Sequence, residues 1–182
     1  MPVNPVPEYC RYLLEPLVGS RMLELGNKKT GDVSYKSYFE SLGFEHVSVD
    51  WNGNDGALPL DLRDPLPDWP PFDMVTNFGT TEHVVDNQSA VWANIHRMVK
   101  VGGVYIGMCP SPEDWWWHGE WYPKPEFYTQ FAHLNGYKIE HMSIGREYPN
   151  RNVDVRMVKV LGLLEYQFPQ REHMFYNEMR PR

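Results

Sequence analysis

The chain has 182 residues, of which 42% are hydrophobic and 23% charged, and its formal net charge is −7. This length and composition predict a single domain over residues 1–182, with a core over about residues 8–162 and a tail over 163–182. The negative charge disfavours a general attraction to nucleic acid or to an anionic membrane, so neither is expected as a partner.

Several features predict a reduced, cytoplasmic protein. The two cysteines, Cys10 and Cys109, share no metal-type spacing and are too few for a disulfide framework. The first ten residues, "MPVNPVPEYC", lack the basic and apolar regions of a secretory signal. No apolar run reaches the length of roughly 18 residues that a membrane-spanning helix needs.

The first half of the chain alternates helix and strand patterns. In chain order these are a short helix in "EYCRYLLEPLVG", a buried strand in "RMLEL", a helix in "SYKSYFESLG" and a second strand in "HVSVDW". In the second helix, apolar residues recur at spacings of three and four. A strand, helix and strand in this order form a βαβ unit, which predicts a parallel sheet.

Residues 52–71 are rich in Gly and Pro, and "ALPLDL" within them is a candidate for a third short strand. Only about five residues separate this stretch from Trp51, too few for the crossover helix that parallel strands require. Either that helix is missing or the segment is irregular.

The second half continues with "FDMVTNFG" as a strand, "NQSAVWANIHRMVK" as a helix that "VGG" ends, and "VYIGMC" as a strand. It then has a helix in "PEFYTQFAHLNG" and two alternating strands, "YKIEHMSIG" and "VDVRMVKVLG", that predict a terminal hairpin. The predicted fold is α/β and Rossmann-like. It has an open, mostly parallel sheet with helices on both faces, an antiparallel C-terminal hairpin, and a reduced helix between the second and third strands.

Acidic, amide and glycine residues follow the predicted parallel strands. Such strand ends line the ligand crevice of an open α/β sheet. Asp50 ends the second strand, 24 residues after Gly26, close to the spacing of about 20 for an acid that binds ribose hydroxyls. Each acid alone could be a solvated strand end, but their order along the chain favours a nucleoside-containing ligand.

The loop after the first strand reads E-L-G-N-K-K-T-G. A dinucleotide loop needs a second glycine at the position of Lys28, so the nicotinamide fingerprint fails. Glu24 would repel a pyrophosphate, whereas it suits a ligand that carries a cationic amine or a sulfonium.

These residues resemble the class I S-adenosylmethionine-dependent methyltransferase family, and most closely its members with a Glu-His pair after the fourth strand. The resemblance rests on "LELG" at 23–26, "VSVD" at 47–50, "DL" at 61–62, "FDMVTNFGTTEHV" at 72–84 and "MVKVGGVYIG" at 98–107. These motifs follow the family order over roughly residues 8–160.

The resemblance implies S-adenosyl-L-methionine as the cofactor. Glu24, Gly26 and Asn27 would hold its methionine end, Asp50 would bind the ribose, and Trp51 would pack on the adenine. For Lys28 and the neighbouring Lys29, two interpretations stay open: pairing with the cofactor's carboxylate, or a solvated turn.

The resemblance assigns the rest of the cofactor site to the third and fourth strands. Asp61 and Leu62 would contact the adenine edge, while Asn77 and Gly79 would line the wall near the sulfonium.

His83 and His118 are the candidate catalytic residues, because a hydroxyl acceptor benefits from a general base and His has a suitable pKa. His83 follows the fourth strand, and fixing the loop structure is an equally good explanation for it. His118 lies in the Trp-rich loop "WWWHGEW". No cluster of His, Cys and Asp has metal-type spacing, so no metal is expected.

The resulting hypothesis is methyl transfer from S-adenosyl-L-methionine to an oxygen or nitrogen of a small molecule, such as a sugar. The alternative is a non-catalytic relative that binds a partner, or a second copy in a homodimer, through the Trp-rich loop. A nicotinamide oxidoreductase is a third option, and Glu24 and Lys28 disfavour it.

Overall fold

The computed structural model describes residues 4–17, 19–111, 118–145, 152–162, 165–170 and 174–176. Its helices are α1 (Tyr35–Ser41), α2 (Gln88–Met98) and α3 (Pro125–Asn135). Its strands are β1 (Arg21–Leu25), β2 (Lys29–Thr30), β3 (Val33–Ser34), β4 (Glu45–Val49), β5 (Phe72–Phe78), β6 (Val99–Pro110), β7 (Trp121–Pro123), β8 (Tyr137–Ile144), β9 (Asn152–Lys159) and β10 (Met174–Tyr176). Short 3₁₀ helices cover Glu8–Leu14, Asn54–Gly56 and Thr81–His83. Within these described ranges, no helix is long and apolar enough to cross a membrane.

Six strands form the main sheet in the order β4-β1-β5-β6-β9-β8. The first four are parallel, and β9 runs antiparallel to both β6 and β8. The predicted α/β sheet with an antiparallel hairpin at its end is confirmed. The chain leaves β1 for β4 on one side and later enters β5 on the other side, so the loops after these strands diverge and leave a crevice.

Local sequence explains where α1 and α3 begin and end. The Ser34 hydroxyl accepts a hydrogen bond from the backbone N–H of Ser37 at the start of α1. Pro125 occupies the first turn of α3, and Gly136 ends that helix with a φ of 70°.

The prediction for the end of α2 is wrong. The segment "VGG" was expected to end the helix, but β6 begins directly at Val99 and contains both glycines. The pairing register between β5 and β6 shifts between Phe72 and Met74, so the start of β6 is bulged. Position 103 requires glycine, because an added Cβ would lie only 2.9 Å from the carbonyl oxygens of Asp73 and Lys100 and would clash with them.

The predicted third strand reduces to a single parallel bridge between Val49 and Leu58. Pro59 follows and has no N–H with which to extend the pairing. The segment 52–71 contains a 3₁₀ turn at Asn54–Gly56 and no α-helix, as expected from the short connection. The crevice is therefore bordered here by an irregular loop.

The two faces of the sheet are covered by separate hydrophobic clusters. Consecutive residues Met74 and Val75 belong to opposite clusters, as the alternation of a strand requires. One cluster is strongly aromatic, with Trp92 packed against Phe127 and Phe131 at ring-centroid distances of 4.7 and 4.9 Å. This aromatic packing fills the core on one face of the sheet.

Part of the tail has a partner in the body of the protein. Met174–Tyr176 pairs antiparallel with Trp121–Pro123, which follows the Trp-rich loop. The three consecutive tryptophans of that loop, at positions 115–117, lie outside the described residues. The use of this loop as a binding surface therefore stays a prediction.

Candidate active site

A cavity of about 440 Å³ opens at the carboxyl ends of β1, β4 and β5. This volume lies within the range of about 300–1,000 Å³ typical of small-molecule sites. The predicted site residues that line it are Gly26, Asn27, Asp50, Trp51, Asp61, Leu62, Gly79 and His83. The structure therefore brings together most of the residues that the sequence pattern selected.

Two predicted cofactor ligands, Glu24 and Asn77, do not line the cavity, because their side chains are fully buried behind its wall. One Glu24 oxygen accepts a hydrogen bond from the backbone N–H of Lys28 at 2.9 Å. The other oxygen lies 3.0 Å from Nε2 of the buried His46 on β4. In this geometry Glu24 braces the loop after β1.

Asn77 holds the loop after β5 in place. Its Oδ1 accepts hydrogen bonds from the backbone N–H groups of Thr80 and Thr81. Its Nδ2 donates to the Thr81 and Tyr105 hydroxyls, and it also lies 3.2 Å from the Cys109 sulfur. With every polar atom of its amide engaged, Asn77 shapes the 3₁₀ turn Thr81–His83.

Gly26 lies where the loops after β1, β4 and β5 meet. Its N–H donates to the carbonyl of Val49 at 2.7 Å. Its φ is 85°, and an added Cβ would lie 2.3 Å from the Thr80 hydroxyl. The position therefore requires glycine for both its backbone conformation and the close approach of Thr80.

The structure separates the roles of the two neighbouring lysines. Lys29 forms an ion pair with Asp55 at 2.5 Å outside the cavity. Lys28 lines the cavity, and its Nζ would lie 3.5 Å from a Cβ placed on Gly79. Lys28 is therefore the lysine that can meet a ligand.

Asp50 and Trp51 border the cavity after β4. The Trp51 side chain is 82% exposed, a large fraction for a hydrophobic residue, while one Asp50 oxygen accepts a hydrogen bond from the N–H of Asn52. An exposed aromatic face beside a carboxylate offers both a stacking surface and a hydrogen-bond acceptor.

Asp61 is engaged by Arg63, a cavity residue that the sequence pattern did not select. The Arg63 guanidinium donates to both Asp61 oxygens, at distances between 2.6 and 3.0 Å. These hydrogen bonds hold the pKa of the Asp61 carboxyl below its usual value. Leu62, the neighbouring residue, is largely buried at the cavity wall.

Three side chains converge beside the loop after β5: Glu82, His83 and His118. One ligand-type atom from each lies within 4.8 Å of the others, and the rings of the two histidines are 4.8 Å apart between centroids. Glu82 is fully buried, and burial raises the pKa of its carboxyl to about 7 despite the opposing charge of Lys28.

His118 itself does not line the cavity, but its segment is fixed against the turn that carries Glu82 and His83. The N–H of Glu120 donates to the Glu82 carbonyl at 2.7 Å. An added Cβ on Gly119 would lie 2.8–2.9 Å from the backbone oxygen and side-chain stem of Glu82. Only glycine allows this approach.

Sequence reasoning missed the roles of several residues that build the site: His46, Arg63, Thr80, Glu82 and Gly119. Glu82 carried a signal, because it forms the Glu-His pair after a strand end. His46, Thr80 and Gly119 act through partners more than 20 positions away in the chain, and no local pattern marks such contacts. Arg63 pairs with Asp61 only two positions before it, and the predicted pattern did not include it.

The residues present fit S-adenosyl-L-methionine. Gly26 and Gly79 contribute backbone without a side chain of their own to the cavity wall, beside Thr80 and Lys28 respectively. Asn27 donates its amide to the Asn54 carbonyl, and its Oδ1 is buried without a hydrogen-bond partner among the described residues. That oxygen can accept a hydrogen bond from an amino group, and Asp50 can accept from ribose hydroxyls.

Comparisons with known proteins identify the class to which this fold and site belong. Residues 18–107 match the family model of a methyltransferase domain, a range that contains the loops after β1, β4 and β5. A comparison with curated protein sequences found no match.

Solved structures of methyltransferases share the fold at low sequence identity. An S-adenosylmethionine-dependent methyltransferase from Mesorhizobium loti has a TM-score of 0.59 at 13% identity, with 82% of this chain and 95% of that chain covered. The glycopeptide N-methyltransferase MtfA, complexed with S-adenosyl-L-methionine, has a TM-score of 0.58 at 12% identity, covering 86% and 99%. The 1,6-didemethyltoxoflavin-N1-methyltransferase of Burkholderia thailandensis has a TM-score of 0.54 at 12% identity, covering 76% and 69%.

The fold and cavity thus define a Rossmann-like methyltransferase. Residues 18–107, just under half of the chain, are similar to the methyltransferase-domain family, and the fold is similar to that of solved S-adenosylmethionine-dependent methyltransferases.

Proposed function

We propose that the protein transfers a methyl group from S-adenosyl-L-methionine to an oxygen or nitrogen of a small-molecule acceptor. The observation that carries this proposal is the single cavity that joins Asp50 and Trp51 after β4 to His83 after β5. Strand β1 lies between β4 and β5 in the sheet. The ends of β4 and β5 are therefore about 10 Å apart at the usual strand spacing. This span suits a cofactor that lies across the strand ends.

The adenosine part belongs at the β4 end of the cavity. Asp50 would accept hydrogen bonds from the ribose hydroxyls, and the exposed ring of Trp51 would pack on the adenine. Asp61 would reach the adenine edge together with Arg63, because the two side chains form one hydrogen-bonded unit in the cavity wall.

The methionine part belongs beside the loop after β1. There the Asn27 Oδ1 would accept a hydrogen bond from the amino group, and Lys28 would pair with the carboxylate. Gly26 lets this part approach the backbone. Glu24 acts through the loop, since its carboxylate fixes the Lys28 backbone.

The acceptor belongs beside His83, whose side chain is 48% exposed and lines the cavity. When bound, S-adenosyl-L-methionine supplies a methyl group on a positively charged sulfur. An acceptor held near His83 would lie on the side of the cavity where it can approach the methyl carbon in line, and such positioning lowers the barrier substantially. A neutral imidazole at His83 can accept the proton that the acceptor loses, and His118 lies beside it.

The net charge of −7 and the compact cavity support a small molecule over nucleic acid. Three of the structurally similar proteins are N-methyltransferases: NodS from Bradyrhizobium japonicum, the glycopeptide N-methyltransferase MtfA, and the 1,6-didemethyltoxoflavin-N1-methyltransferase. These similarities are compatible with a nitrogen acceptor, whereas the histidine pair suits a hydroxyl as well.

Calorimetric titration with S-adenosylhomocysteine tests the cofactor site. We expect saturable 1:1 binding that Asp50→Ala weakens at least fivefold, since about 1 kcal/mol or more is lost with a charged hydrogen-bond acceptor. Asp68→Ala is the matched control, because Asp68 is fully exposed and makes only a long ion pair of 3.8 Å with Arg97. No heat with the wild-type protein, or equal weakening by both substitutions, would refute the proposed cofactor site.

A further inference from the structure

We infer that Glu82, His83 and His118 form a binding site for a divalent transition-metal cation beside the acceptor position. The three side chains come from two loops, one after β5 and one before β7. Each offers one ligand-type atom, and these atoms lie within 4.8 Å of one another. His83 Nε2 lies 3.7 Å from Glu82 Oε1.

The Glu82 carboxylate is the strongest indication of a cation ligand in this cluster. Its side chain is fully buried, and neither oxygen has a hydrogen-bond partner among the described residues. Its Oε1 points towards the cavity wall, 3.2 Å from where a Cβ on Gly79 would lie. His83 Nε2 and the charge of Lys28 lie near this carboxylate, but a buried carboxylate without a side-chain hydrogen-bond partner is disfavoured, and a coordinated cation would satisfy it.

The surrounding structure is organised to hold this carboxylate in place. Asn77 accepts hydrogen bonds from the N–H groups at the start of the turn, and the Gln88 amide donates to the carbonyls of Thr81 and Val84 on either side of Glu82 and His83. These contacts fix the backbone of both residues before any ligand binds.

The loop before β7, which carries His118, is also fixed in place by several contacts. Gly119 packs directly against the backbone and side-chain stem of Glu82, and its N–H donates to the Tyr122 hydroxyl. Glu120 adds a backbone hydrogen bond to Glu82. These contacts of Gly119 and Glu120 place the adjacent His118 close to the Glu82 carboxylate.

The donor atoms indicate the class of cation. Two imidazole nitrogens with one carboxylate oxygen suit first-row transition metals, whereas magnesium and calcium prefer oxygen ligands. Such metals bind these donors at about 2.0–2.2 Å, so two donors on one ion are at most about 4.4 Å apart. Rotation of the exposed His83 ring can bring its nitrogen within this distance of the other donor atoms, which now lie up to 4.8 Å apart. Three protein ligands leave coordination positions for other molecules.

This site would change how the acceptor is activated, and it rests on the proposed function only for the position of that acceptor. With His83 and His118 nitrogens engaged, an acceptor hydroxyl that coordinates the cation would lose its proton to solvent at a lower pH than in water. The oxygen lone pair then forms a bond to the methyl carbon as the carbon–sulfur bond breaks and its electrons return to sulfur. The products are a methyl ether, S-adenosylhomocysteine and one proton.

Titration of the full-length, chelator-treated protein with Co²⁺ tests the inference without cofactor or acceptor. The readouts are calorimetry and the visible absorption of the bound ion. We expect one ion per chain, with Glu82→Gln and His118→Ala each weakening binding more than about tenfold, the loss that even supporting residues of metal sites produce. His133→Ala is the control, because His133 is exposed on α3.

Thermal melting of each variant verifies that it is folded, and the nearly isosteric Glu82→Gln keeps the test valid if His118→Ala unfolds. Absence of saturable binding to the wild-type protein would overturn the inference, as would binding that both variants retain. A parallel titration with S-adenosylhomocysteine separates the two proposals. Cofactor binding without Co²⁺ binding refutes only the metal site, and Co²⁺ binding without cofactor binding refutes only the proposed function.

Discussion

The Thr80 hydroxyl donates a hydrogen bond to the Leu25 carbonyl at 2.8 Å and thereby ties the loop after β5 to the loop after β1. Gly26, the next residue after Leu25, has a φ of 85° and no room for a Cβ beside Thr80. Two walls of the cavity therefore meet at a contact that depends on one glycine.

Gly26→Ala should consequently separate the two loops. We expect a loss of about 1–3 kcal/mol in the free energy of unfolding from the strained backbone, and a loss of S-adenosylhomocysteine binding from the displaced Thr80. Gly43→Ala is the matched control, because Gly43 has a similar φ of 90° but no atom within 4 Å of an added Cβ. Urea unfolding and calorimetry measure the two effects. If Gly43→Ala reduces cofactor binding as much as Gly26→Ala does, the loop contact is not what shapes the site.

Trp51→Ala should weaken S-adenosylhomocysteine binding about three- to tenfold, the value of one aromatic contact. Because Trp51 is 82% exposed, its removal should leave the melting temperature nearly unchanged. Leu161→Ala, which alters an exposed apolar residue on a distant segment, should change neither property. An unchanged affinity for Trp51→Ala would mean that the adenine does not pack on this ring.

The two adjacent lysines offer an internal comparison. Lys28 lines the cavity, whereas Lys29 pairs with Asp55. We therefore expect Lys28→Met to weaken S-adenosylhomocysteine binding at least about fivefold through loss of a charged partner, and Lys29→Met to have little effect. The difference should shrink at high salt. Equal effects of the two substitutions would contradict the assignment of Lys28 to the carboxylate of the cofactor.

His96 should make the protein less stable in acid. Burial and the nearby charge of Lys159 lower the pKa of its imidazole from 6.5 to about 4. The unfolded chain therefore binds a proton that the folded chain does not, and this contribution to stability falls as the pH drops from about 6.5 to about 4. Urea unfolding across this range should show a shallower pH slope for His96→Gln than for the wild type. His133→Gln, at an exposed position, should keep the wild-type slope.

Much of the fold was predictable because the relevant signals are local. The buried run "RMLEL" coincides with β1, and Pro125 and Gly136 of "PEFYTQFAHLNG" mark the ends of α3. The two-residue strands β2 and β3 and the three-residue strands β7 and β10 were missed, since such short strands exist only through their partners. The start of β6 was misplaced because Gly102–Gly103, normally a helix stop, here forms a bulge against β5.

The residues of the candidate site were likewise predictable only where the signal is local. Asp50 and Gly26 were identifiable because strand ends in an open parallel sheet converge on one crevice. Glu24 and Asn77 end strands too, yet their side chains point into the interior and engage His46 and the turn after β5. Whether such a side chain faces the cavity or the protein interior depends on its tertiary partners, and sequence spacing does not predict these.

A crystal structure of the protein grown with S-adenosylhomocysteine tests the central claim most directly. We predict adenosine density beside Asp50 and Trp51 and the sulfur atom near Gly79, on the side that faces His83. Density for the nucleoside at another surface, or a cavity without density at a saturating concentration of the ligand, would contradict the proposed cofactor site.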